Sequence, residues 1–337
     1  MFNPYPSLPY QIKNYVLNSI IGQGGFAIVY KATNVLYNRD FAVKVICQSK
    51  ISNRNVSSFE AEIKSLTQLD HPNVIRLYDY FKEDDHLFLV LEYCSGGTLE
   101  DKILKEEEMT FEAQIKICSQ IVSALNYCYD QNIAHRDIKT SNVLIDGNGR
   151  IKVTDFGLSQ VISHDENMHQ FGGSLHYYSP EICKKVSFNP FKSDVWALGV
   201  LFYRLFTYSY PFDGVTEHEI KTKIIDGFYQ EKLTGLIGKV VRKMLTPCPE
   251  ERISIYQLSK MEIFNSPKVN IFANGGKKLL PIPNQAQVNR LRRFSKGCSN
   301  VIFHNSKSNE NSPQLAKCMN LFCSQTFLSA PLVSEPT

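Results

Sequence analysis

The chain lacks any apolar run long enough to cross a bilayer. The longest, Leu87–Leu91 and Val195–Phe202, fall far short of the roughly 20 residues a membrane helix needs. No Cys-x-x-Cys pair occurs, and the closest-spaced cysteines, Cys318 and Cys323, have no histidine-rich surroundings to complete a zinc site. The nine cysteines are an odd number, and Cys47, Cys118 and Cys128 fall in apolar periodic segments as small core hydrophobes. That usage fits a reducing compartment better than a disulfide framework. Residues 1–20 mix proline, tyrosine and polar side chains without the apolar stretch of a secretory signal. Strong net charge is absent as well; +4 over 337 residues supplies no electrostatic footprint for nucleic acid. No internal repeat is found. The expectation is a soluble intracellular protein, cytoplasmic with the nucleus also open to it.

The charge that is present lies unevenly. Residues 267–337 carry nine Lys/Arg against two Asp/Glu, which leaves 28 basic against 31 acidic residues in 1–266. That tail loses hydrophobic periodicity, fills with Asn, Ser and Gly, and reads as largely disordered, with one short basic helix near 287–294. The body changes character once. Tyr15–Thr33 reads as two strands around a glycine cluster, Asp40–Ile46 as a third, and Leu77–Tyr80 and His86–Tyr93 as two more. Between them Ser58–Leu69 has helical spacing of Phe59, Ile63, Leu66 and Leu69. After Ser95-Gly96-Gly97 helices take over, the clearest being Thr110–Tyr129 with Thr110 as N-cap. A small β-rich lobe (15–92), a hinge (92–97) and a larger helical lobe (98–266) predict an α+β, bilobal domain with a cleft between its halves. Residues 1–14 form an N-terminal extension to it.

The first lobe contains Ile21-Gly22-Gln23-Gly24-Gly25-Phe26-Ala27-Ile28-Val29, whose glycines let a turn bring backbone N–H groups against phosphate oxygens. A tight hairpin explains the glycines equally well. A dinucleotide-binding loop would need a helix where Ala27–Thr33 reads as strand. Lys44, within Phe41-Ala42-Val43-Lys44-Val45-Ile46, is spaced to reach nucleotide phosphates and needs a counter-charge. Glu62 is the candidate and Glu60 is not, because Glu62 shares the helix face that leads to Leu66 and Leu69. Farther on come His135-Arg136-Asp137-Ile138-Lys139-Thr140-Ser141-Asn142 and Asp155-Phe156-Gly157. Phosphoryl transfer requires metals on the phosphates, a carboxylate to orient the attacking hydroxyl and positive charge on the transferring group. Asp137 suits the carboxylate role, Lys139 the charge, and Asn142 with Asp155 the metals.

In this order and combination the motifs resemble those of the eukaryotic protein kinase family over residues 15–266. The resemblance implies a bilobal protein kinase fold, ATP as donor and Mg2+ as metal, with Mn2+ as a substitute. It places Ile21, Gly22, Gln23, Gly24, Gly25, Phe26, Ala27, Val29, Ala42 and Lys44 on the upper side of the nucleotide. Leu91 falls at the gatekeeper, Glu92 to Cys94 at the hinge, and Leu144 below the base. Asp155, Phe156 and Gly157 open an activation segment that contains Ser174 and ends at Ser179-Pro180-Glu181. Asp194-Val195-Trp196 starts the buried helix that anchors the catalytic loop, and Arg252 pairs with Glu181; His135, Arg136, Asp194 and Arg252 are thus structural. Leu66, Leu77, His135 and Phe156 form the apolar column linking the lobes. Lys139 in Asp-x-Lys-x-x-Asn, together with Ser174, resembles the Ser/Thr-directed pattern. Trp196-Ala197-Leu198-Gly199-Val200 and Tyr210-Pro211-Phe212-Asp213 are similar to the calmodulin-dependent and AMP-activated branch. Partners implied are protein substrates bearing Ser or Thr, for a monomeric catalytic domain.

Three departures carry expectations of their own. Ala27 replaces the third loop glycine, a modest change for ATP affinity. Gln170 stands where the family carries a phosphorylated hydroxyl, so activity is expected to be independent of phosphate there, with Asp165 and Glu166 as candidate fixed charges for Arg136. Thr98, Ser141 and Arg204 occupy positions where basophilic relatives place acids, which predicts weak preference for arginine two or three residues before the target and tolerance of acidic residues. In the tail, Arg292-Arg293-Phe294-Ser295 reads as a target of another kinase or a solvated loop, and the basic stretch 288–294 as a contact for a regulator. Two rival readings remain: an inactive scaffold, which the presence of Lys44, Asp137, Asn142 and Asp155 disfavours, and a small-molecule kinase, which the complete activation segment disfavours.

Overall fold

The computed structural model describes residues 7–24, 27–50, 53–161, 167–169 and 172–265. Gly25, Phe26, Asp165, Glu166, Gln170 and the basic tail with Ser295 lie outside the described residues. No helix among the described residues is long and apolar enough to cross a membrane.

Strand alternation builds the N-terminal lobe. Strands β1 (Tyr10–Ile12), β2 (Tyr15–Gln23), β3 (Ala27–Asn34), β4 (Arg39–Cys47), β5 (Leu77–Glu83) and β6 (His86–Glu92) run antiparallel in the order β1-β2-β3-β4-β6-β5. On β4, Phe41, Val43 and Val45 join one cluster with Ile28, Tyr30, Phe88 and Val90. Ala42 and Ile46 join a different cluster with Leu87, Leu89 and Leu91. Side chains alternate along a strand, so Lys44 takes the parity of the second face. Helix α1 (Asn53–Gln68) and the residue following it cover that face with Phe59, Leu66 and Leu69. The helix begins five residues before the apolar spacing that starts at Ser58. Residues 10–12, within the N-terminal extension, form the edge strand of this sheet and bury Ile12.

Two glycines dock the hinge onto the lower lobe. A Cβ on Gly96 would stand 2.8 Å from the Ile145 carbonyl oxygen, and Gly97 has φ +71°. The close approach lets Gly96 N–H donate to Ile145 O (2.8 Å) and Ile145 N–H donate to Gly97 O (2.9 Å).

The C-terminal lobe follows with α2 (Leu99–Leu104) and α3 (Phe111–Asp130), each started by a threonine cap. Thr110 Oγ1 accepts from Ala113 N–H at 3.2 Å. Short strands β7 (Ile133–Ala134), β8 (Val143–Ile145), β9 (Ile151–Val153) and β10 (Gln160–Val161) pair as β8 with β9 and β10 with β7. Next come α4 (Pro180–Cys183), α5 (Pro190–Thr207), α6 (Glu217–Asp226), α7 (Gly235–Met244), α8 (Ile255–Ser259) and α9 (Glu262–Asn265). Helix α5 is apolar on all sides from Val195 to Phe202 and is buried accordingly. It is the post from which the loop between β7 and β8 hangs.

Candidate active site

Lys44 and Glu62 meet between sheet and helix, Nζ to Oε2 at 2.7 Å, and Lys44 Nζ stands 3.5 Å from Asp155 Oδ1. Glu60 is not among the ion-pair partners of Lys44. Burial opposes the ammonium charge, but the Glu62 and Asp155 carboxylates outweigh it and hold Lys44 above its ordinary range. Val29 lies across from Lys44 on β3, and Ala42 across from Leu91 on β6, in the row next to the hinge. Cys94 and Leu144 pack half-buried against the same cluster. Burial pushes the Cys94 thiol up to about 12, so the hinge carries no thiolate at neutral pH. At the glycine-rich turn Ile21 and Gln23 are exposed, and Gly24 N–H donates to Ala27 O at 2.9 Å.

Asp137 sits on a loop tethered to α5. The buried Asp194 accepts the backbone N–H of His135 on Oδ2 and that of Arg136 on Oδ1, both at 2.7 Å. Arg136 has φ +68°, a left-handed conformation that persists in a non-glycine residue only where surrounding bonds impose it. These two bonds do so. Full burial pushes the Asp194 carboxyl above its usual range, with the neighbouring His135 and Arg136 pulling the other way. The His135 ring contacts Thr154 O through Nε2 (3.0 Å) and accepts Asp137 N–H on Nδ1 (3.2 Å). A carbonyl can only accept, so these partners assign the ring proton to Nε2.

Four polar side chains then converge. Asp137 Oδ2 accepts from Lys139 Nζ at 2.6 Å and from Asn142 Nδ2 at 3.0 Å. Ser174 Oγ accepts from Lys139 Nζ at 3.2 Å and donates to Asp137 Oδ1 at 3.4 Å. Asn142 Nδ2 also donates to the Asp137 carbonyl at 2.8 Å, which leaves its Oδ1 as a hard oxygen for another purpose. Asp155 has left-handed φ +64° and a side chain 45% exposed, while Phe156 beside it is fully buried, its ring 4.6 Å from that of His135. Burial would raise the Asp155 carboxyl; the Lys44 charge, with His135 and then Lys139 in support, outweighs burial and holds it below the ordinary range. Leu66, Phe156 and the half-buried Leu77 belong to one apolar cluster, and the buried His135 joins them through its contact with Phe156. The donors fit the groups that the sequence implies. Asp155 and Asn142 offer oxygen alone, which suits a hard divalent cation, and Lys44 offers an ammonium for phosphate oxygens.

At the far end of the segment Glu181 and Arg252 form a bidentate pair, Nη1–Oε1 2.8 Å and Nη2–Oε2 3.0 Å. The remaining guanidinium N–H groups donate to the carbonyls of Thr246, Lys192 and Pro247 at 2.9, 2.8 and 3.1 Å.

Three contacts around the site have no motif. Arg136 Nη1 donates to Leu158 O (3.1 Å) and to Gln160 Oε1 (3.4 Å). The buried Lys152 pairs with Glu92 at 2.8 Å at the start of the hinge. Arg204 holds Glu100 through Nη2–Oε1 (2.5 Å) and Nε–Oε2 (3.2 Å), with its guanidinium 4.0 Å from the Tyr210 ring centroid. Glu100 also accepts from Thr140 Oγ1, which meets the Tyr177 hydroxyl at 2.9 Å. The one sequence signal was Arg204 itself, a cation inside an apolar helix that had to find a partner.

Comparison with known proteins follows the same lines. A family profile described as "Protein kinase domain" matches residues 15–264. The "Probable serine/threonine-protein kinase MARK-C" of Dictyostelium discoideum is 33% identical over 265 residues, covering 77% of this chain and 34% of that protein. The "Serine/threonine-protein kinase SIK3 homolog" of Danio rerio is 31% identical over 248 residues, covering 73% of this chain and 21% of that protein. Both names describe serine/threonine-protein kinases. The chain therefore spans about a third or less of the length of these relatives.

Proposed function

This chain belongs to the protein kinase family, and from that premise we propose that it transfers the terminal phosphoryl group of Mg-ATP to Ser or Thr hydroxyls of other proteins. The observation that carries the reading is the convergence of Asp137, Lys139, Asn142 and Ser174 within hydrogen-bond reach, beside the Lys44–Glu62–Asp155 group, since Thr154, the neighbour of Asp155, donates its N–H to Asn142 O at 2.9 Å. When bound, Mg-ATP supplies the phosphoryl group and the neutralising charge of its metal. Asp155 and the free Oδ1 of Asn142 would hold that metal, and Lys44, fixed by Glu62, would hold nucleotide phosphates. Asp137 accepts the hydrogen bond of the incoming alcohol and so aims its oxygen. Lys139 supplies positive charge toward the transferred group, its ammonium kept in place by Asp137 and by the Ser174 hydroxyl.

Regulation and selectivity form part of the same proposal. Activity is independent of a phosphate at residue 170, because the Arg136 guanidinium already has the Leu158 carbonyl and the Gln160 amide oxygen as acceptors. Arginine upstream of the target is weakly preferred at most. Thr98 is engaged as the cap of α2, and Glu100, the carboxylate near it, is neutralised by Arg204. That same pairing takes the free cation away, so acidic residues there are tolerated without being selected. The catalytic domain acts as a monomer inside the cell, with residues 267–337 as the contact for a regulator.

A degenerate peptide screen with purified protein and Mg-ATP, run beside Asp137→Asn, tests the reading. Phosphorylation of Ser and Thr peptides is expected, with no dominant upstream arginine, and turnover about 10²–10⁴-fold lower in the variant while nucleotide affinity holds. Full turnover in Asp137→Asn removes that residue from its role; an array dominated by upstream arginine removes the selectivity claim.

A further inference from the structure

Two serines that belong to no motif meet in the interior of the site. Ser65, on α1, and Ser159, four residues after Asp155, are both buried, and their hydroxyl oxygens lie 2.7 Å apart. Ser159 Oγ also approaches the Phe156 carbonyl at 2.5 Å. A carbonyl has no proton to give, so the single Ser159 hydroxyl proton goes to Phe156 O. Ser65 is then the donor in the contact between the two hydroxyls. The order is Ser65 O–H to Ser159 Oγ, and Ser159 O–H to Phe156 O. Ser159 N–H donates to the same carbonyl at 3.0 Å, so this residue closes the turn that begins at Asp155.

The placement couples two parts of the machinery. Glu62, Ser65 and Leu66 fall at i, i+3 and i+4 on α1 and therefore share one face. A rotation or outward swing of α1 that separates Glu62 from Lys44 also withdraws Ser65 from Ser159. Withdrawal leaves a buried hydroxyl donor without an acceptor, and a buried unsatisfied group costs more than an ordinary hydrogen bond contributes. The pair is thus satisfied when α1 is seated and the Asp155 turn is closed, and not otherwise.

We propose that the Ser65–Ser159 hydroxyl pair is a positioning element that fastens α1 to the Asp155–Phe156–Gly157 turn, so that the Lys44–Glu62 ion pair and the metal-holding carboxylate are set in place together. The inference rests on the reading of Asp155 as a metal holder. Neither serine touches substrate; each acts through Asp155 and Glu62.

The chemistry predicts an asymmetry. Ser159→Ala leaves the Ser65 donor orphaned and the turn closed by its backbone bond alone, whereas Ser65→Ala leaves Ser159 still bonded to Phe156 O through both its hydroxyl and its N–H. The double variant Ser65→Ala/Ser159→Ala removes both hydroxyls and the orphan with them, so it folds even if Ser159→Ala does not. The test is a double-mutant cycle on ADP affinity measured calorimetrically with and without Mg2+, well below each melting temperature, beside KM for ATP and for peptide. Expected is an about three- to tenfold loss of the Mg2+-dependent gain in ADP affinity in each single variant, larger for Ser159→Ala, on the scale of one hydrogen bond. KM for ATP should follow, KM for peptide should stay at the parent value, and the double variant should be no worse than Ser159→Ala. The proposal is overturned if the two losses add, or if the variants bind ADP as the parent does with and without Mg2+ and differ only in melting temperature. A parent that gains no ADP affinity from Mg2+ would instead remove the metal reading on which the inference stands, and that result is visible before any variant is made.

Discussion

The Lys44–Glu62 and Arg252–Glu181 ion pairs both join distant parts of the chain in the interior, yet they are built in opposite ways. The Arg252 side chain is fully buried, and its guanidinium donates to two carboxylate oxygens and three backbone carbonyls. Its N–H inventory is thereby complete. The Lys44 side chain keeps 19% of its surface exposed, and its compact ammonium faces two carboxylates on two different elements. One pair is saturated; the other retains capacity for a ligand and sits on a helix whose seating can change. A buried charge that is fully satisfied holds a fold together, while one left partly open is available for chemistry.

The sharpest way to break this contrast is to remove one cation from the saturated pair. Arg252→Met leaves the buried Glu181 unpaired and is expected to cost about 3–5 kcal/mol of stability in urea unfolding, with residual activity following the folded fraction. A variant as stable as the parent would show that the pair is dispensable. The complementary change keeps charge at the open pair. Lys44→Arg replaces a compact ammonium by a wide planar fork and is expected to unfold at a urea concentration close to the parent while turnover falls about 10²–10³-fold, the scale of a lost charge-stabilising donor. Wild-type turnover in that variant would contradict the contrast.

The smallest effect concerns acid. The Asp155 carboxyl is held below its ordinary range, chiefly by Lys44 acting against burial. The unfolded chain then binds its proton first, so this contribution is present above the unfolded value and is lost as pH falls through the folded one. Asp194, raised by burial, acts with the opposite sign. Below about pH 4, where an ordinary carboxylate titrates, Asp155→Asn should show a shallower fall of urea midpoint with decreasing pH than the parent. A steeper fall would reverse the sign assigned to Asp155.

Periodic segments disclosed their structure in the sequence. The apolar runs of β4 and β6, four to eight residues rich in β-branched and aromatic side chains, and the stripe of α3 behind Thr110 are strong local signals, and the element type follows from them. Strand β1 and the four short strands of the C-terminal lobe were not legible, because two or three residues are too few to display alternation and their pairing comes from partners distant in the chain. The first three residues of α1, Asn53-Arg54-Asn55, are polar and gave no apolar spacing to extend the helix back to Asn53. Around the site, the meeting of Lys44 with Glu62 could be anticipated from helix face and strand parity. The sequence showed that Arg204 needed a partner, but not that Glu100, 104 positions away with no shared pattern, is that partner, nor that Gln160 is an acceptor for Arg136.

Residue types and their order, by themselves, determined which groups the proposed site can offer to a phosphate and a hydroxyl, since the chemistry of a carboxylate, an ammonium or a glycine turn is a local property. Only the tertiary structure decided which of those groups are saturated and which remain open. It alone joined Ser65 to Ser159 and Arg204 to Glu100. Saturation depends on how many donors and acceptors arrive from elsewhere in the chain, and arrival is a matter of packing geometry that no single segment contains.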